Sequence, residues 1–292
     1  MLRKNILIIF ILSCHCAGLF AFGGEPITLT IGVVDPLCRE SACACVVEDA
    51  ERSYQGLQLS IEQTTGITLA FKYYDDLLLL ERDVKAGKLE GMICKSWPGM
   101  LMGRDAKRKF ERLADITKPK GKIGLRGSFI VLADSPLKSL EDLKGKRIAF
   151  GQANNYEKHY SAFRTLERLG IELTADHDEF FTCSESALAL LEQRADSAVI
   201  SDYALDYGCI TIVSEKSAFR IIGQTDEQLP FTSLFLDTNK VKIEDRLLVQ
   251  AALLKITGKN IPPDLYTKGW IKPLPWKPKE LKKKNGKTDE RS

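Results

Sequence analysis

Cysteine is the residue type with the clearest chemical potential in this sequence, and six of the eight cysteines lie beyond an apolar N-terminal stretch. Four of the six follow neighbouring predicted strands and should lie near one another: Cys38, Cys43, Cys45 and Cys94. A Cys-x-Cys pair with two further thiols could bind a soft metal ion such as Cu(I) or Zn(II). An even number of cysteines in an oxidising compartment instead favours disulfides. We expect two disulfides here, and no bound metal or other cofactor.

A further pair of cysteines lies in the second half of the chain. Cys183 starts the loop after one predicted strand, and Cys209 closes the helix that follows the next strand. This placement predicts a Cys183–Cys209 disulfide. The sequence alone does not determine how the other cysteines are connected, because six cysteines allow many pairings.

The sequence offers few residues for catalysis. It contains three histidines, and one of them lies in the apolar N-terminal stretch. Only His159 and His177 therefore remain for a Ser-His or Cys-His mechanism. The motifs Gly-x-Ser-x-Gly and His-Glu-x-x-His and a phosphate-binding glycine loop do not occur. We predict a binding protein and not an enzyme.

The N-terminus is typical of an export signal. Two basic residues precede the apolar run Asn5–Ser13, which is too short to span a bilayer alone. Residues 21–23 (Ala-Phe-Gly) offer a cleavage site, so residues 1–24 are predicted to be a signal peptide. A Leu-Ser-Cys sequence ending at Cys14 could instead direct lipid attachment, and an uncleaved anchor is a further alternative. We predict a periplasmic protein, with a lipoprotein anchor as the alternative.

The chain carries 42 Lys and Arg against 39 Asp and Glu, but the basic excess lies at its ends. The segment 277–292 is rich in lysine and has no apolar periodicity, so we expect it to be disordered. The remaining body is slightly acidic, and nothing indicates a nucleic-acid partner. With 292 residues, 44% of them hydrophobic, the chain is long enough for one or two domains with a large core.

Helix and strand patterns alternate along the chain, which predicts an α/β fold of open, mostly parallel sheets with helices on both faces. The helices include Val46–Thr64 and one from about Asn155 to Leu169. Extended runs at Gly127–Ala133 and Ala218–Gly223 separate two such series, so we predict two lobes joined by two hinge crossings. The predicted domains are lobe 1 (25–128 with 224–260), lobe 2 (129–223) and a C-terminal extension (261–292) with a disordered basic end.

The segment Asp134–Gly151, DSPLKSLEDLKGKRIAFG, resembles the periplasmic substrate-binding proteins of phosphate/phosphonate-type ABC transporters. In that family an extended crossing strand precedes a similar Ser-Leu-Glu-Asp-Leu-Lys-Gly-Lys-Arg sequence and a strand ending in Phe-Gly. Ser139 can cap a short helix whose acidic first turn the helix dipole favours. The segments Phe181–Leu191, Ala195–Leu205 and Ile31–Pro36 extend the resemblance. It implies a type 2 periplasmic binding protein fold, in which two lobes close on a small ligand in the cleft between them.

The sequence departs from the family pattern in the loop after the Phe-Gly strand. In phosphonate binders this loop is rich in Ser and Thr and holds the anion at a helix N-terminus. Here Asn155, Tyr156 and Glu157 replace the hydroxyl cluster, and Glu185 replaces a histidine. Two carboxylates in one cleft would repel a phosphate-like group and would suit a cationic or amine-bearing ligand, or a metal. Alternatively, both glutamates only occupy the first turns of helices, where the dipole favours them.

The residues expected to face the cleft follow predicted strands of both lobes. Trp97 could stack on a ligand or pack in the core or at the rim, and His159 either reaches the cleft mouth or lies at the surface. The predicted ligand-binding residues are Asp35, Lys95, Ser96, Trp97, Asn154, Asn155, Tyr156, Glu157, His159, Ser184, Glu185, Ser201 and Asp202.

Two functions of binding proteins remain open. The first is an exported, monomeric protein that delivers a small polar solute to the membrane subunits of an ABC transporter. The second is an accessory or chaperone-like protein without a transport role, whose partner is another exported protein such as a redox enzyme. The missing hydroxyl cluster and the first-lobe cysteines suggest the second function. We favour the first, because the export signal, the two-lobe pattern and the 139–151 segment all indicate it.

Overall fold

The computed structural model describes residues 27–42, 50–173, 177–206, 208–225 and 229–275. Their strands are β1 (Ile27–Val33), β2 (Ile67–Tyr73), β3 (Gly91–Cys94), β4 (Phe110–Ile116), β5 (Gly124–Leu125), β6 (Gly127–Leu132), β7 (Ile148–Gly151), β8 (Glu179–Phe180), β9 (Ser197–Ser201), β10 (Phe219–Gln224), β11 (Leu229–Pro230), β12 (Thr232–Asp237) and β13 (Trp270–Ile271). Their α-helices are α1 (Gln55–Thr65), α2 (Leu77–Lys85), α3 (Ser96–Asp105), α4 (Tyr160–Arg168), α5 (Cys183–Leu191) and α6 (Ile243–Lys255).

The first lobe is built on a six-stranded sheet with the order β13-β4-β12-β3-β1-β2. β1 pairs in parallel with β2 and β3, and β12 runs antiparallel to β3 and β4. Alternate residues of β1 lie on one face, as expected for a strand, and Ile31 there packs in a core with Leu57 and Ile61 of α1 and Leu253 of α6. Burial of these side chains fixes α1 and α6 against the sheet.

The second lobe is built on a five-stranded sheet with the order β10-β6-β9-β7-β8. β7 is parallel to β8 and β9, whereas β6 is antiparallel to β9 and β10. In both sheets the parallel strands lie together, and antiparallel strands are added where the chain arrives or returns. The predicted α/β fold class is confirmed, but both sheets are mixed and not mostly parallel as expected.

A short two-stranded ribbon joins the lobes. β5 and β11 pair antiparallel, with Leu125 opposite Leu229, and Phe231 donates its amide hydrogen to Ile123 at 2.9 Å. The runs predicted as crossings, Gly127–Ala133 and Ala218–Gly223, are mostly strands β6 and β10 of the second sheet. The chain crosses just before β6 and returns just after β10, so the ribbon forms the hinge.

Two predicted helices begin later than expected. α1 starts at Gln55 and not at Val46, because Arg52 pairs with the backbone around Leu37 and Arg39 in an extended conformation. α4 starts at Tyr160, because residues 152–159 form turns that enter the space between the lobes. Residues 46–49, which were part of the predicted first helix, lie outside the described residues.

The C-terminal part adds to the first lobe. Trp270–Ile271, within the predicted C-terminal extension, form the edge strand β13 beside β4, and Trp270 is buried in the first core. The predicted signal peptide and the basic end lie outside the described residues. None of the helices within the described ranges is long and apolar enough to cross a membrane.

Candidate functional site

A cavity of about 140 Å³ lies between the two lobes. The first lobe contributes Val34, Pro36, Ser41, Asp75, Leu77, Lys95 and Pro98, and the second contributes Asn154, Asn155, Lys158, Phe181, Thr182, Cys183, Tyr203 and Cys209. The lining residues mostly follow strands β1, β3, β7, β8 and β9. The cavity thus lies where parallel strands end, which is the usual place for a ligand in such sheets.

The central contact across the cavity is an ion pair between Lys95 and Glu157. Lys95 follows β3, and its Nζ lies 2.8 Å from Oε1 of Glu157, which lies in the loop after β7. Ser201, the last residue of β9, donates its hydroxyl hydrogen to the same Oε1 at 2.7 Å. The ammonium of Lys95 also lies 5.3 Å from the centre of the Tyr203 ring, a favourable distance for a cation–π contact.

Both members of this pair are charged. Burial opposes ionisation of Glu157, but the two neighbouring lysines and the Ser201 hydroxyl together lower the pKa of its carboxyl. Burial likewise opposes the charge on Lys95, but the adjacent Glu157 carboxylate raises its pKa overall. The Glu157 side chain is only 1% exposed. A largely buried ion pair therefore joins the lobes.

A second ion pair crosses from the hinge to the second lobe. Lys118 follows β4, and its Nζ lies 3.0 and 3.1 Å from the two carboxylate oxygens of Asp202, directly after β9. Burial raises the pKa of Asp202, and Lys118 opposes this effect. The sequence pattern placed Asp202 at the cleft but did not identify Lys118. The sequence feature that could have indicated Lys118 was its position before the first crossing.

An aromatic contact forms a third bridge between the lobes. The Trp97 indole donates to the carbonyl of Ala153 at 3.1 Å, and its ring lies 4.9 Å from Tyr156 and 5.6 Å from Tyr160, centre to centre. Trp97 thus packs against the second lobe at the edge of the cavity. The predicted residues Asn154 and Asn155, in the same loop, line the cavity.

Cys183 and Cys209 lie side by side in the cavity wall, but no disulfide joins them. The predicted bond is therefore not shown and stays a prediction, although the two cysteines lie close together as expected. A hydrogen bond from the Cys209 thiol, helped by the nearby lysines and the Ser201 amide, lowers the pKa of Cys183 to about 5, although burial opposes this shift. The surroundings thus stabilise a thiolate on Cys183.

The predicted first-lobe disulfides are not seen among the described residues. Cys38 and Cys94 are buried thiols, and burial raises the pKa of both. The Cys38 thiol donates to Glu40 at 3.1 Å. Cys43 and Cys45 lie outside the described residues. Within the described part of the chain, no three His, Cys, Asp or Glu side chains are grouped so that they could hold a metal ion.

Several predicted site residues are held away from the cavity. The Asp35 carboxylate is buried beside Arg52 and Tyr54, and the Ser96 hydroxyl is hydrogen-bonded to Ser233 at 2.6 Å. His159 bonds the carbonyl of Gly151 through Nδ1 at 2.9 Å. These groups are satisfied inside their own lobes.

Two predicted ligand-binding residues, Ser184 and Glu185, instead form hydrogen bonds at the N-terminus of α5. Glu185 accepts the backbone amide hydrogen of Thr182 at 2.8 Å, and the Thr182 hydroxyl accepts the amide hydrogen of Glu185 at 3.1 Å. This reciprocal pair is a capping box. Ser184 donates to the Thr182 hydroxyl at 3.2 Å. Glu185 therefore serves the helix, and the two predicted carboxylates do not meet in the cleft.

Lys158 is a cleft residue that the sequence pattern did not identify. The side chain is nearly fully buried in the cavity wall, and its ammonium donates to the carbonyl of Phe181 at 3.2 Å. We expected a helix from about Asn155, and that expectation did not show which way the Lys158 side chain points. The observed turns direct both Glu157 and Lys158 inward.

Comparison with known proteins supports a binding-protein fold. A family profile described as "ABC transporter, phosphonate, periplasmic substrate-binding protein" matches residues 47–274. A search of curated proteins gave no match. The XAC2383 protein from Xanthomonas citri, solved with chloride bound, aligns with a TM-score of 0.62 at 18% identity, over 85% of this chain and 91% of that one.

Two further solved structures have the same degree of similarity. A binding protein component of an ABC phosphonate transporter from Pseudomonas aeruginosa aligns with a TM-score of 0.62 at 14% identity, over 85% of this chain and 82% of that one. PhnD1 from Prochlorococcus marinus, in complex with methylphosphonate, has a TM-score of 0.62 at 13% identity, over 85% and 93% of the two chains. Identities this low establish the fold alone.

The two lobes, their ribbon hinge and the cavity between them define a two-lobed periplasmic binding protein. The chain belongs to the family of periplasmic substrate-binding proteins of phosphonate ABC transporters. Members of this family are binding proteins and not enzymes.

Proposed function

We propose that this protein is an exported, monomeric solute-binding protein that closes its lobes on a small polar solute and presents it to the membrane subunits of an ABC transporter. The observation that carries this proposal is the cavity of about 140 Å³ to which both lobes contribute. A ligand bound there would contact both lobes and stabilise the closed form.

The cavity also limits the ligand. An apolar protein cavity of about 150 Å³ can hold a molecule the size of benzene, so a solute of about six heavy atoms fits. Leu77, Phe181 and Tyr203 offer apolar contact, while the side-chain amides of Asn154 and Asn155 offer polar contact. We infer an altered anion site, because Glu157 carries a negative charge where phosphonate binders have hydroxyl groups.

The experiment is a thermal-shift panel of small metabolites on the mature protein. A ligand present at 100 times its Kd adds about 2.7 kcal/mol of stability, which should raise the Tm by about 5 °C or more. Asn155→Ala should weaken the effect, and Asn239→Ala, a change at an exposed turn far from the cavity, should not. A panel without any stabilising compound would count against the proposal.

A second function, an accessory role for an exported protein partner, is favoured by one observation. The protein's own side chains bridge the cleft, in the Lys95–Glu157 and Lys118–Asp202 pairs. A pull-down from periplasm distinguishes the two functions. Recovery of transporter subunits supports the first, and recovery of another exported protein supports the second.

A further inference from the structure

The Glu157 carboxylate lies in surroundings that would suit a bound anion. Its Oε1 accepts a hydrogen bond from the Lys95 ammonium at 2.8 Å and another from the Ser201 hydroxyl at 2.7 Å. Ser201 is completely buried, and the Lys95 side chain is 15% exposed. Lysine and hydroxyl donors of this kind bind carboxylates and oxyanions alike.

The donors come from opposite sides of the cleft. Lys95 belongs to the first lobe, at the start of α3, whereas Ser201 ends β9 in the second lobe. A carboxylate that contacts both therefore links the lobes, as a bound ligand would. The Glu157 backbone packs closely against Gly127. A Cβ atom added at Gly127 would lie only 2.2 Å from the carbonyl oxygen of Glu157, so this close approach requires glycine.

We propose that Glu157 is a tethered anion: its carboxylate occupies the position between Lys95 and Ser201 that a free oxyanion would otherwise take. The solute of this protein therefore carries no phosphonate, phosphate or sulfonate group at that position. The inference rests on the proposed function, because it concerns the ligand of the same cleft. It makes Glu157 a specificity-determining residue that acts by excluding oxyanions.

The charges around the cavity agree with this assignment. Lys158, which is buried, and Lys95, which is 15% exposed, provide two cations at the cleft. Glu157 neutralises one of them, and its pKa is lowered by these same lysines despite burial. Cys183, which also faces Lys158, provides a second internal anion once its thiol ionises. A free oxyanion would find its cations already paired, and it would meet repulsion at short range.

The experiment measures binding of methylphosphonate, inorganic phosphate and sulfate by titration calorimetry. Binding to the wild-type protein should be at or below the detection limit, whereas Glu157→Ala should bind at least one of them with a Kd at least about a hundredfold below that limit. The double variant Glu157→Ala with Lys95→Met should lose that gain, because the cation is gone. Glu185→Ala serves as the control: it should bind the oxyanions no better than wild type, because that carboxylate caps α5 and does not face Lys95.

A second measurement keeps the inference testable if Glu157→Ala does not fold. Glu157→Gln retains the size and can still accept both hydrogen bonds, so it should fold, but it lacks the charge. Small-angle scattering without ligand should show a more open average shape for this variant than for wild type. An unchanged shape would overturn the inference.

The outcomes separate this inference from the proposed function. Oxyanion binding by the wild-type protein would overturn the tethered anion and would leave solute binding intact. Oxyanion binding by Glu157→Ala alone would support the tethered anion even if the metabolite panel failed. Absence of oxyanion binding in a folded Glu157→Ala protein would overturn it.

Discussion

Asp35 shows how a residue at a strand end can serve its own lobe and not a ligand. Its carboxylate accepts from Arg52 at 2.5 Å and from the Tyr54 hydroxyl at 2.6 Å, and all three side chains are buried. Arg52 also donates to the carbonyl of Leu265 at 3.1 Å and to that of Thr117 at 3.3 Å. The network ties β1 to the chain that leads into the hinge.

We predict that Arg52→Met lowers the free energy of unfolding by about 3–5 kcal/mol, because Asp35 would keep a buried charge without its partner. Arg39→Met is the matched control: Arg39 is exposed, and its loss should change stability by no more than about 0.5 kcal/mol. Urea denaturation measures the free energy of unfolding of both variants. Equal effects of the two variants would show that the buried pair has no special role.

The Cys183 thiol gives the cavity a pH-dependent charge. Its pKa falls from the ordinary value of 9.0 to about 5, so the folded state favours the thiolate. The resulting stability is fully present above about pH 9 and is lost as the pH falls towards 5. Under reducing conditions, the stability advantage of wild type over Cys183→Ser should therefore shrink across this range. A pH-independent difference would contradict the assigned thiolate.

The side chains of the site could be predicted only in part. Lys95, Asn154 and Asn155 line the cavity, as their positions just beyond strands predicted, and their contact with a ligand stays a prediction. The sequence did not show that Glu157 pairs across the cleft while Glu185 caps a helix. Both glutamates follow strands in similar contexts, and their directions depend on turns that have no periodic signal.

At the scale of elements, α5 has a complete N-terminal cap. Thr182 and Glu185 form a capping box, and the helix then presents Cys183 to the cavity. We predict that Thr182→Ala destabilises the protein by about 1 kcal/mol. Thr64→Ala, on the exposed side of α1, is the control and should change stability by less than about 0.5 kcal/mol. Chemical denaturation measures the free energy of unfolding of both variants. Equal losses of stability in Thr182→Ala and Thr64→Ala would show that the capping box does not stabilise α5.

The elements that the sequence predicted well are those with clear periodicity. The apolar patterns predict strands at Ile27–Val34, Thr68–Tyr73 and Ser197–Ile200 and a helix near Glu244–Ile256. β1, β2, β9 and α6 lie within one residue of these bounds at every end. The sequence patterns predicted neither α3 nor β4. The helical signal of α3 is weak because Ser96–Asp105 contains Pro98 and two glycines, which are poor helix formers. Long-range pairing of Arg52 with residues 37–39 shortened α1, and local propensity cannot reveal such pairing.

At the scale of the whole molecule, the described residues hold the lobes together through the Lys95–Glu157 and Lys118–Asp202 ion pairs and the aromatic contact of Trp97. Lys118 and Asp202 are only 9% and 19% exposed at their side chains, so this pair should contribute more than a surface ion pair does. It links the chain before the first crossing to the end of β9, so an opening motion that separates Lys118 from Asp202 would break it. The pair should therefore bias the closed form.

We predict that Lys118→Met shifts the open-to-closed equilibrium towards the open form by about tenfold. Lys122→Met, at an exposed position in the same crossing, should leave it unchanged. Small-angle scattering without ligand would detect the shift as a larger radius of gyration. Identical scattering from both variants would mean that the hinge pair does not bias closure.

The central claim is that the two lobes enclose a small solute, and native mass spectrometry of protein exported to a periplasm tests it most directly. We predict an added mass, matching a solute of about six heavy atoms, that disappears on denaturation and is reduced in Asn155→Ala. A native mass equal to the denatured mass, even after incubation with periplasmic extract, would contradict the claim.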